Sequence, residues 1–377
     1  MNKGFIEHFS VIKDFRQEGK VQHKLMDILF IAVAATIANS DSWIEMQLFA
    51  ERYETWLRKY LELPNGIPSH DTIERIFENI DGKEFAKCFI KWTQDITQKT
   101  KGTLIAIDGK TVRRSFDNNA DKSAIHIVNA WTNENKLILG QVKTSDKSNE
   151  ITAIPELLDL LFIKDCIITI DAMGTQKKIV EKIIEKKADY VLALKGNQGN
   201  LYEDVKLYFE DSIKNDFKDI PKEKISKYET IEKGHGRIEK RVYYLTNDID
   251  WIEQKNDWKS FKSIGMAINE ITIKDKTTKE YRFYITSLYK NIEDFAKSVR
   301  GHWGVESTHW ILDIVFKEDY NRTRINNSAE NLSMLRKIAL NLLKLEKETK
   351  KKRSLKSKRY IASMDIEFLE KVMLNIE

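Results

Sequence analysis

Apolar positions recur at helical spacing through the first part of the chain, residues 1–95. They predict helices over 24–38 and 43–60, and the turn LPNGIPSHD separates these from a short helix predicted over 72–79. The most apolar run, residues 28–38, is much shorter than the roughly 18–20 residues that a membrane span needs. We therefore expect a buried helix there and no membrane partner.

The segment PSHDTIERIF allows two interpretations. Ser69 or Asp71 can cap a helix whose exposed side carries Glu74, Arg75 and Glu78. A helix-turn-helix would insert that helix into a major groove of DNA. Two glutamates on such a surface would repel phosphates, so an ordinary helical hairpin is equally compatible with the pattern.

From Gly102 onward, short apolar or alternating runs replace the helical pattern. The predicted order is three strands (TLIAIDGKTV, AIHIVNAWT, LILGQVKTSD), a helix (NEITAIPELLDLL), a strand (DCIITIDAMG), a helix (QKKIVEKIIEKKAD) and a strand (YVLALKG). This order indicates an α/β fold, a mixed sheet with helices on both faces. From about residue 222 to 290 the pattern is mostly extended, and helical patterns then return.

These patterns divide the chain into five expected regions. They are a helical domain with possible DNA-binding function (1–95), the first part of an α/β core (96–221), a β-rich insertion (222–290), the second part of the core (291–340) and a basic helical tail (341–377).

Composition narrows the class of protein without fixing its partner. An apolar content of 41% allows a sizeable core, and a formal net charge of +5 is too modest to identify a nucleic-acid binder by itself. One cluster stands out, because residues 350–359 contain seven basic and no acidic side chains. Such a run is compatible with either a solvated linker or a phosphate-binding segment.

The two cysteines, Cys88 and Cys166, form neither a disulfide framework nor a zinc-binding spacing. This usage fits a reducing compartment. No signal peptide precedes the first apolar run, so we expect a cytoplasmic protein.

Two predicted strands end in aspartate. Asp108 follows the apolar run LIAI and Asp171 follows IITI, and the ends of strands in open α/β sheets are the usual place for ligand chemistry. A single such aspartate more often caps a turn than reacts. Two of them on strands that can lie side by side form a stronger signal.

The stretch VRGHWGVESTHWILDIVFKED, residues 299–319, adds a third carboxylate. At helical spacing Glu306 shares a narrow polar stripe with His302, His309 and Asp313, and the rest of the stretch is largely apolar. We expect this helix to be buried on both flanks through Trp303, Trp310 and Phe316.

Three converging carboxylates would repel one another, and burying such charges is costly unless they are paired or bind a cation. Two Mg²⁺ ions about 4 Å apart remove the repulsion and create a site that cleaves phosphodiesters. Oxygen ligands favour Mg²⁺ or Mn²⁺ over zinc. Asp108, Asp171 and Glu306 are therefore the predicted catalytic and metal-binding residues.

A family resemblance rests on several segments together: IAIDGKTVRRS, IDAMGTQ, LALKGNQ, GHGRIEKR and RGHWGVESTHWILDIVFKED. As a set they resemble insertion-sequence transposases of the DDE superfamily, in the group that includes H-repeat-associated proteins. The similarity extends from the helical N-terminal region to about residue 340.

The resemblance implies an RNase H-like catalytic domain that cuts the 3′ ends of a transposon and uses the freed hydroxyl to attack target DNA. It further implies two divalent ions as cofactors, double-stranded DNA as the partner (terminal inverted repeats and target), and a homodimer on DNA in a prokaryotic nucleoid.

This sequence departs from one pattern of related transposases, Tyr-x2-Arg-x3-Glu-x6-Lys. The corresponding positions here are Val299, His302, Glu306 and Asp313. We expect Arg300 and His309 to supply the missing positive charge. How the 5′ end is held, and whether cleavage passes through a hairpin, stays open.

Candidate DNA contacts lie next to the predicted strand ends, in the insertion and on the late helix. They are Lys110, Arg113, Lys195, Asn197, Gln198, His235, Arg237, Arg241, Arg300, His302, Trp303 and His309. Ordinary loop polarity, a hairpin turn and a core tryptophan are the competing explanations for parts of this set.

Two other functions remain possible on sequence alone. The chain could be a catalytically inactive, transposase-derived regulator that only binds DNA. It could also be a metalloprotein that is no nuclease, because Glu306 and His309 form a Glu-x-x-His motif of the kind found in di-iron bundles, although no second copy lies on a comparable apolar helix.

Overall fold

A computed structural model describes residues 4–97, 100–116, 123–144, 149–234, 236–346 and 353–374. Six helices form the first of these ranges: α1 (Gly4–Phe9), α2 (Leu25–Ile37), α3 (Trp43–Arg52), α4 (Glu54–Leu57), α5 (His70–Asn79) and α6 (Gly82–Ile96). The single helix expected over 43–60 is wrong in one respect, because it breaks at Tyr53 into α3 and α4.

Helix α5 is docked on the rest of the molecule. Ser69 caps it by accepting a hydrogen bond from the Thr72 amide, and Ile73, Ile76 and Phe77 are buried. At its far end the Phe77 carbonyl accepts a hydrogen bond from the Asn331 side chain (2.8 Å). These contacts favour the helical-hairpin interpretation over a helix free to enter a major groove.

The predicted order of strands and helices from Gly102 is observed. The elements are β1 (Leu104–Thr111), β2 (His126–Thr132), β3 (Ile138–Lys143), α7 (Glu150–Leu160), β4 (Ile167–Ile170), α8 (Lys177–Glu185) and β5 (Asp189–Leu194). Strands β1, β2 and β3 are antiparallel neighbours, whereas β4 is parallel to β1 and β5 is parallel to β4. This mixed sheet is the RNase H-like arrangement that the sequence implied.

The segment expected to be a β-rich insertion continues the same sheet. After α9 (Asn200–Lys214) come β6 (Ile225–Gly234), β7 (Arg237–Thr246), β8 (Ser263–Ile273) and β9 (Lys276–Thr286). Because β9 pairs antiparallel with β5, the described strands form one nine-stranded sheet in the order β3-β2-β1-β4-β5-β9-β8-β7-β6. The strands of the insertion are therefore hydrogen-bonded to the core rather than linked to it by loops alone.

Four helices complete the chain: α10 (Ile292–Ile314), α11 (Ser328–Leu345), α12 (Leu355–Met364) and α13 (Ile366–Leu374). Alternation along β1 sends Ile105 and Ile107 into the core beneath α7 and α8. Its even-numbered residues face α10 and the N-terminal helices. The polar residues Asp108 and Lys110 lie on this second face.

The basic run at residues 350–359 is partly structural. The Arg359 side chain is buried, stacks on Phe316 and donates to the Thr36 carbonyl (3.1 Å) and Asp41 (2.8 Å). Lys358 is also buried and donates to the Leu343 carbonyl (3.0 Å). For these two residues neither a solvated linker nor a phosphate-binding segment is correct; residues 350–352 lie outside the described ranges.

Within the described ranges, no helix combines the length and apolar character that crossing a membrane requires.

Candidate active site

The two predicted aspartates are neighbours, although only Asp171 follows the end of its strand; Asp108 lies within β1, which continues for three more residues. Ile107 of β1 is in register with Ile170 of the parallel strand β4. The next residues along the two strands, Asp108 and Asp171, therefore lie side by side. Asp171 is fixed by its own loop, because its Oδ1 accepts hydrogen bonds from the amides of Met173 and Gly174 (both 3.1 Å). The expected side-by-side position of the two strands is confirmed.

Helix α10 runs along β1 on the face that carries Asp108. Two glycines allow the close approach: a Cβ at Gly301 would collide with the side chain of Leu104, and one at Gly304 would collide with the ring of Trp131. Glu306 lies two residues beyond Gly304, is exposed, and lines the same cavity as Asp108. The tight packing therefore fixes the height of Glu306 relative to Asp108.

One cavity of about 420 Å³ collects the three carboxylates. Asp108, Asp171 and Glu306 line it together with Lys195 and His302. Burial, the Asp171 carboxylate and, more weakly, Glu306 raise the pKa of Asp108 to about 7. Burial also raises the pKa of Asp171. The negative charges thus act on one another, and a cation in the cavity would relieve their repulsion.

As a metal site this cavity is open, which means that its own side chains do not complete the coordination of an ion. Among the described residues, no three His, Cys, Asp or Glu side chains are gathered closely enough to hold an ion by themselves. Mg²⁺ usually keeps several waters and is bound through one or two carboxylates plus substrate phosphates. The carboxylate oxygens of this cavity would fit that pattern if waters and substrate oxygens supplied the remaining ligands.

A fourth carboxylate, Glu150, was missed by the sequence analysis. It begins α7, directly after β3 and its connecting loop, and its Oε1 lies 2.7 Å from Nε2 of His126. A Cβ at Gly109 would collide with both side chains, so this pair sits against the backbone next to Asp108. After burial, Glu150 is among the groups that raise the pKa of both Asp108 and Asp171.

The two histidines of the polar stripe are not cations. Burial lowers the pKa of His302 to about 4 and that of His309 to about 3, so both are neutral at pH 7. His302 Nδ1 lies 3.0 Å from Thr169 Oγ1, and His309 lies between Asp108 (3.5 Å) and Asn129 (3.3 Å). The expectation that His309 supplies positive charge to DNA is therefore wrong. His302 also lines the carboxylate cavity, and its contact with DNA stays a prediction.

Lys110 is not available to DNA phosphates. Its side chain is 9% exposed, and Nζ lies 2.7 Å from Asp313, 2.9 Å from Glu318 and 3.3 Å from Asp319. Burial alone would lower the pKa of Lys110, but these carboxylates, Glu318 foremost, raise it to about 12. Asp313, the position where related transposases carry lysine, thus belongs to a buried ion-pair network.

The loop after β5 has two roles. Lys195 lines the carboxylate cavity, as expected. Asn197 and Gln198 instead donate to the Ala172 carbonyl (2.8 and 3.3 Å), and Gln198 donates also to that of Thr175 (2.9 Å). These two amides hold the Asp171 loop. Asn197 is exposed and Gln198 is half-buried, so their contact with DNA stays a prediction.

A second, basic cavity adjoins the first, between the strands of the insertion and α10. We call it the basic cleft; its lining includes Arg237, Arg241, Arg282, Arg300 and Trp303. Arg282, which sequence reasoning missed, lies 4.2 Å above the Trp303 ring. Arg237 and Arg241 both pair with Glu239, and Arg241 pairs also with Glu232. Because Arg241 is buried in these ion pairs, it is not available to DNA phosphates as expected, whereas Arg237 is half exposed. His235 lies outside the described residues.

The apolar flanks of α10 are only partly buried. Phe316 is fully buried and Trp303 is partly covered, but Trp310 is 61% exposed and Ile314 is 55% exposed. The expectation of two buried flanks is therefore wrong for one of them. Arg113 is also exposed, outside both cavities.

Comparison with known proteins gives a consistent family. The family described as "Transposase DDE domain" matches residues 99–342, and "DDE_Tnp_1-associated" matches residues 6–93. Among curated relatives, the "Putative transposase YncI" of Escherichia coli O157:H7 is 44% identical over 98% of this chain and 94% of its own length. The "H repeat-associated putative transposase YhhI" of E. coli K12 is 41% identical over 98% of each chain.

Among solved structures, a piggyBac transposase synaptic complex with hairpin DNA overlaps with a TM-score of 0.42 at 12% identity, covering 98% of this chain and 78% of that one. A likeness at this level carries no conclusion about function. The matches to the two sequence families, and to relatives aligned over nearly their whole length, do show the family of the chain. By those matches, this chain belongs to the DDE transposase family.

Proposed function

We propose that this transposase cleaves phosphodiester bonds at the ends of its own element and joins the freed 3′ hydroxyl to target DNA, with two Mg²⁺ or Mn²⁺ ions as cofactors. The observation that carries the proposal is the shared cavity of Asp108, Asp171 and Glu306, next to a cleft rich in arginine. DNA in a prokaryotic cytoplasm is the proposed substrate, bound by a homodimer.

Asp108, Asp171 and Glu306 would hold the ions. When bound, the ions would activate a water or hydroxyl and stabilise the leaving oxygen of the phosphodiester. The protein's own contribution is position: the register of β1 and β4 fixes the two aspartates, and the glycine contacts of α10 fix Glu306.

The cations around the cavity would bind the DNA backbone. Lys195 lines the carboxylate cavity itself, and Arg237 and Arg300 line the adjoining basic cleft. Arg241 is buried and paired with Glu232 and Glu239, so it is not one of these contacts. Phosphate contacts of this kind orient a duplex without reading its sequence. Trp303, stacked with Arg282, offers a face for an unpaired base.

A DNA-binding regulator without activity remains the second candidate, favoured by one relative: a 74-residue match covering 20% of this chain is to "Inactive transposase YbfQ" of E. coli K12. The present chain retains all three carboxylates at one cavity, which supports an active enzyme. A di-iron protein is disfavoured, because His309 is turned toward Asp108 and Asn129, and among the described residues no ligand set for an ion is closed.

Cleavage of duplexes that carry the inverted ends flanking the coding region tests the proposal. With Mg²⁺ present, Asp108→Ala, Asp171→Ala and Glu306→Ala are each expected to abolish cleavage and strand transfer while end binding persists. Glu293→Ala, an exposed carboxylate in the first turn of the same helix α10, is the matched control and should cleave normally. Near-normal cleavage by one of the three variants would remove that residue from the site, and an inactive wild type that still binds the ends would favour the regulator.

A further inference from the structure

A second group of exposed cations lies at the opposite end of the site from the basic cleft. We call it the arginine–aromatic patch; it consists of the exposed Arg113, Arg114 and Arg322, the partly buried Arg324, and the rings of Phe116 and Tyr320. The residues come from two short segments, one just after β1 and one just after α10, that meet through the amide of Arg113, which donates to Asp319 (3.2 Å).

Arginine and aromatic side chains alternate in this patch. The guanidinium of Arg114 lies 5.3 Å from the ring centre of Tyr320, and that of Arg324 lies 5.2 Å from that of Phe116. Tyr320 is 68% exposed, and the Arg113 side chain is 82% exposed. Guanidinium groups held at the surface by neighbouring rings suit the phosphates of a polyanion.

Three arginines of the patch face an incoming anion. Arg113 shares the Asp319 carboxylate (3.4 Å) with Lys110 (3.3 Å). Arg114 and Arg322 are exposed. The surface therefore presents the guanidinium groups of Arg114 and Arg322 to solvent.

Its position follows from the two elements that lead to it. Asp108 and Lys110 point to the same face of β1, and five residues of extended chain carry this line about 16 Å from Asp108 to Arg113. On α10, the basic cleft contains Arg300 and Trp303, six and three residues before Glu306, whereas Trp310 and Ile314 follow it at four and eight residues. The cleft and the patch thus lie on opposite sides of the carboxylates.

We propose that the arginine–aromatic patch binds the arm of duplex DNA that leaves the carboxylate cavity on the side opposite to the arm held by the basic cleft. This inference rests on the proposed function, since it takes a scissile phosphate at the cavity as its reference point. A duplex advances about 3.4 Å per base pair, so the patch faces DNA about five base pairs from the cut. The exposed Trp310 and Ile314 line the path between them.

The proposal makes the two surfaces separable by DNA length. The probes are duplexes that carry the inverted end flanking the coding region: one long on both sides of the cut, and two shortened to a few base pairs on one side or the other. The variants are Arg114→Ala/Arg322→Ala for the patch and Arg237→Ala/Arg300→Ala for the cleft. Arg52→Ala is the matched control, because Arg52 is an exposed arginine over a tyrosine ring (5.9 Å from the Tyr53 ring centre), and it lies on α3.

On the long duplex, the patch variant is expected to bind about tenfold more weakly than Arg52→Ala, with a salt slope lower by about two, since two phosphate contacts are lost. Shortening one arm should remove this defect and leave the defect of the cleft variant intact. Shortening the other arm should do the reverse. Unchanged thermal unfolding of the variants would show that they are folded.

Two results would overturn the inference. In the first, the patch variant binds the long duplex with the same affinity as Arg52→Ala. In the second, shortening the same arm removes the binding defects of both the patch variant and the cleft variant. Either result, obtained with a wild type that cleaves, leaves the proposed function standing. A wild type that fails to cleave and to bind any of the duplexes would instead remove the proposed function, and the inference with it.

Discussion

The elements β1 and α10 together carry two acidic clusters that differ in what neutralises them. Near the sheet edge, Asp108 and Glu306 share a cavity with Asp171, and the pKa of Asp108 is raised to about 7 by burial and by the neighbouring carboxylates. Further along, the carboxylates of Asp313, Glu318 and Asp319 surround the ammonium group of Lys110. Burial alone would raise the pKa of Glu318, but nearby cations, Lys337 and Lys110 among them, lower it to about 2.

The comparison separates function from stability. A cluster closed by its own lysine has no need of an external cation and serves to join β1 to α10 and its following turn. The cluster in the cavity has the exposed Lys195 beside it but no buried lysine among the described residues of its lining, so its carboxylates keep binding capacity for an external cation. The following substitutions test this separation, from the largest expected effect to the smallest.

Asp108→Asn should reduce cleavage by about a thousandfold or more, because a lost ligand removes several kcal/mol of stabilisation of the developing charge. The free energy of unfolding without divalent ions should stay equal or rise, because a repelling carboxylate is gone. Cleavage assays and urea unfolding measure the two quantities. A variant that is both inactive and markedly less stable would contradict the separation.

Lys110→Met should do the opposite. Three carboxylates lose their common cation while Glu318 stays fully buried, and breaking such a buried pair typically costs about 3–5 kcal/mol. Urea unfolding measures the loss. Lys317→Met is the control, since Lys317 is an exposed lysine of the same region, 3.1 Å from Asp41; equal stability of the two variants would show that the network contributes little.

Gly304→Ala should lower cleavage about tenfold to a hundredfold through position alone. The added methyl collides with the Trp131 ring and pushes α10, with Glu306, away from β1. Ser307→Ala on the same helix is exposed and should be neutral. Trp131→Phe combined with Gly304→Ala is expected to recover part of the activity, and no recovery would count against the steric explanation.

Glu150→Gln is expected to have the smallest effect, a few-fold change in cleavage, because glutamine keeps a hydrogen-bonding oxygen near His126 and removes only charge beside Asp108. Single-turnover cleavage at fixed Mg²⁺ measures it. A loss as large as that of Asp108→Asn would make Glu150 a ligand rather than a neighbour.

The local pattern of the sequence was sufficient for the core strands and for the pair Asp108 and Asp171. Both follow from short-range rules: an apolar run predicts a buried strand, and parallel strands end at the same edge. The ion pairs of Lys110 could not be predicted in this way, because its partners Asp313, Glu318 and Asp319 are about two hundred residues away in the chain. The sequence next to a charged residue does not reveal which distant residues it pairs with.

Exposure of the α10 flanks also escaped prediction. Helical spacing gives the direction of Trp310 and Ile314 but not whether another element covers that direction. The same limit explains His302 and His309, whose neutrality depends on burial against β4 and β2. Tertiary packing, not local pattern, determines these features.

The pairing of β9 with β5 has a consequence for how the chain is made. The edge of β5 stays without its partner until residues 276–286 have been synthesised, more than 80 residues after Leu194 leaves the ribosome. An unpaired apolar edge at this stage is a site for wrong pairing and aggregation. We expect nascent chains that stop before β9 to aggregate and to require chaperones. Chains released after β9 can complete the pairing of β5.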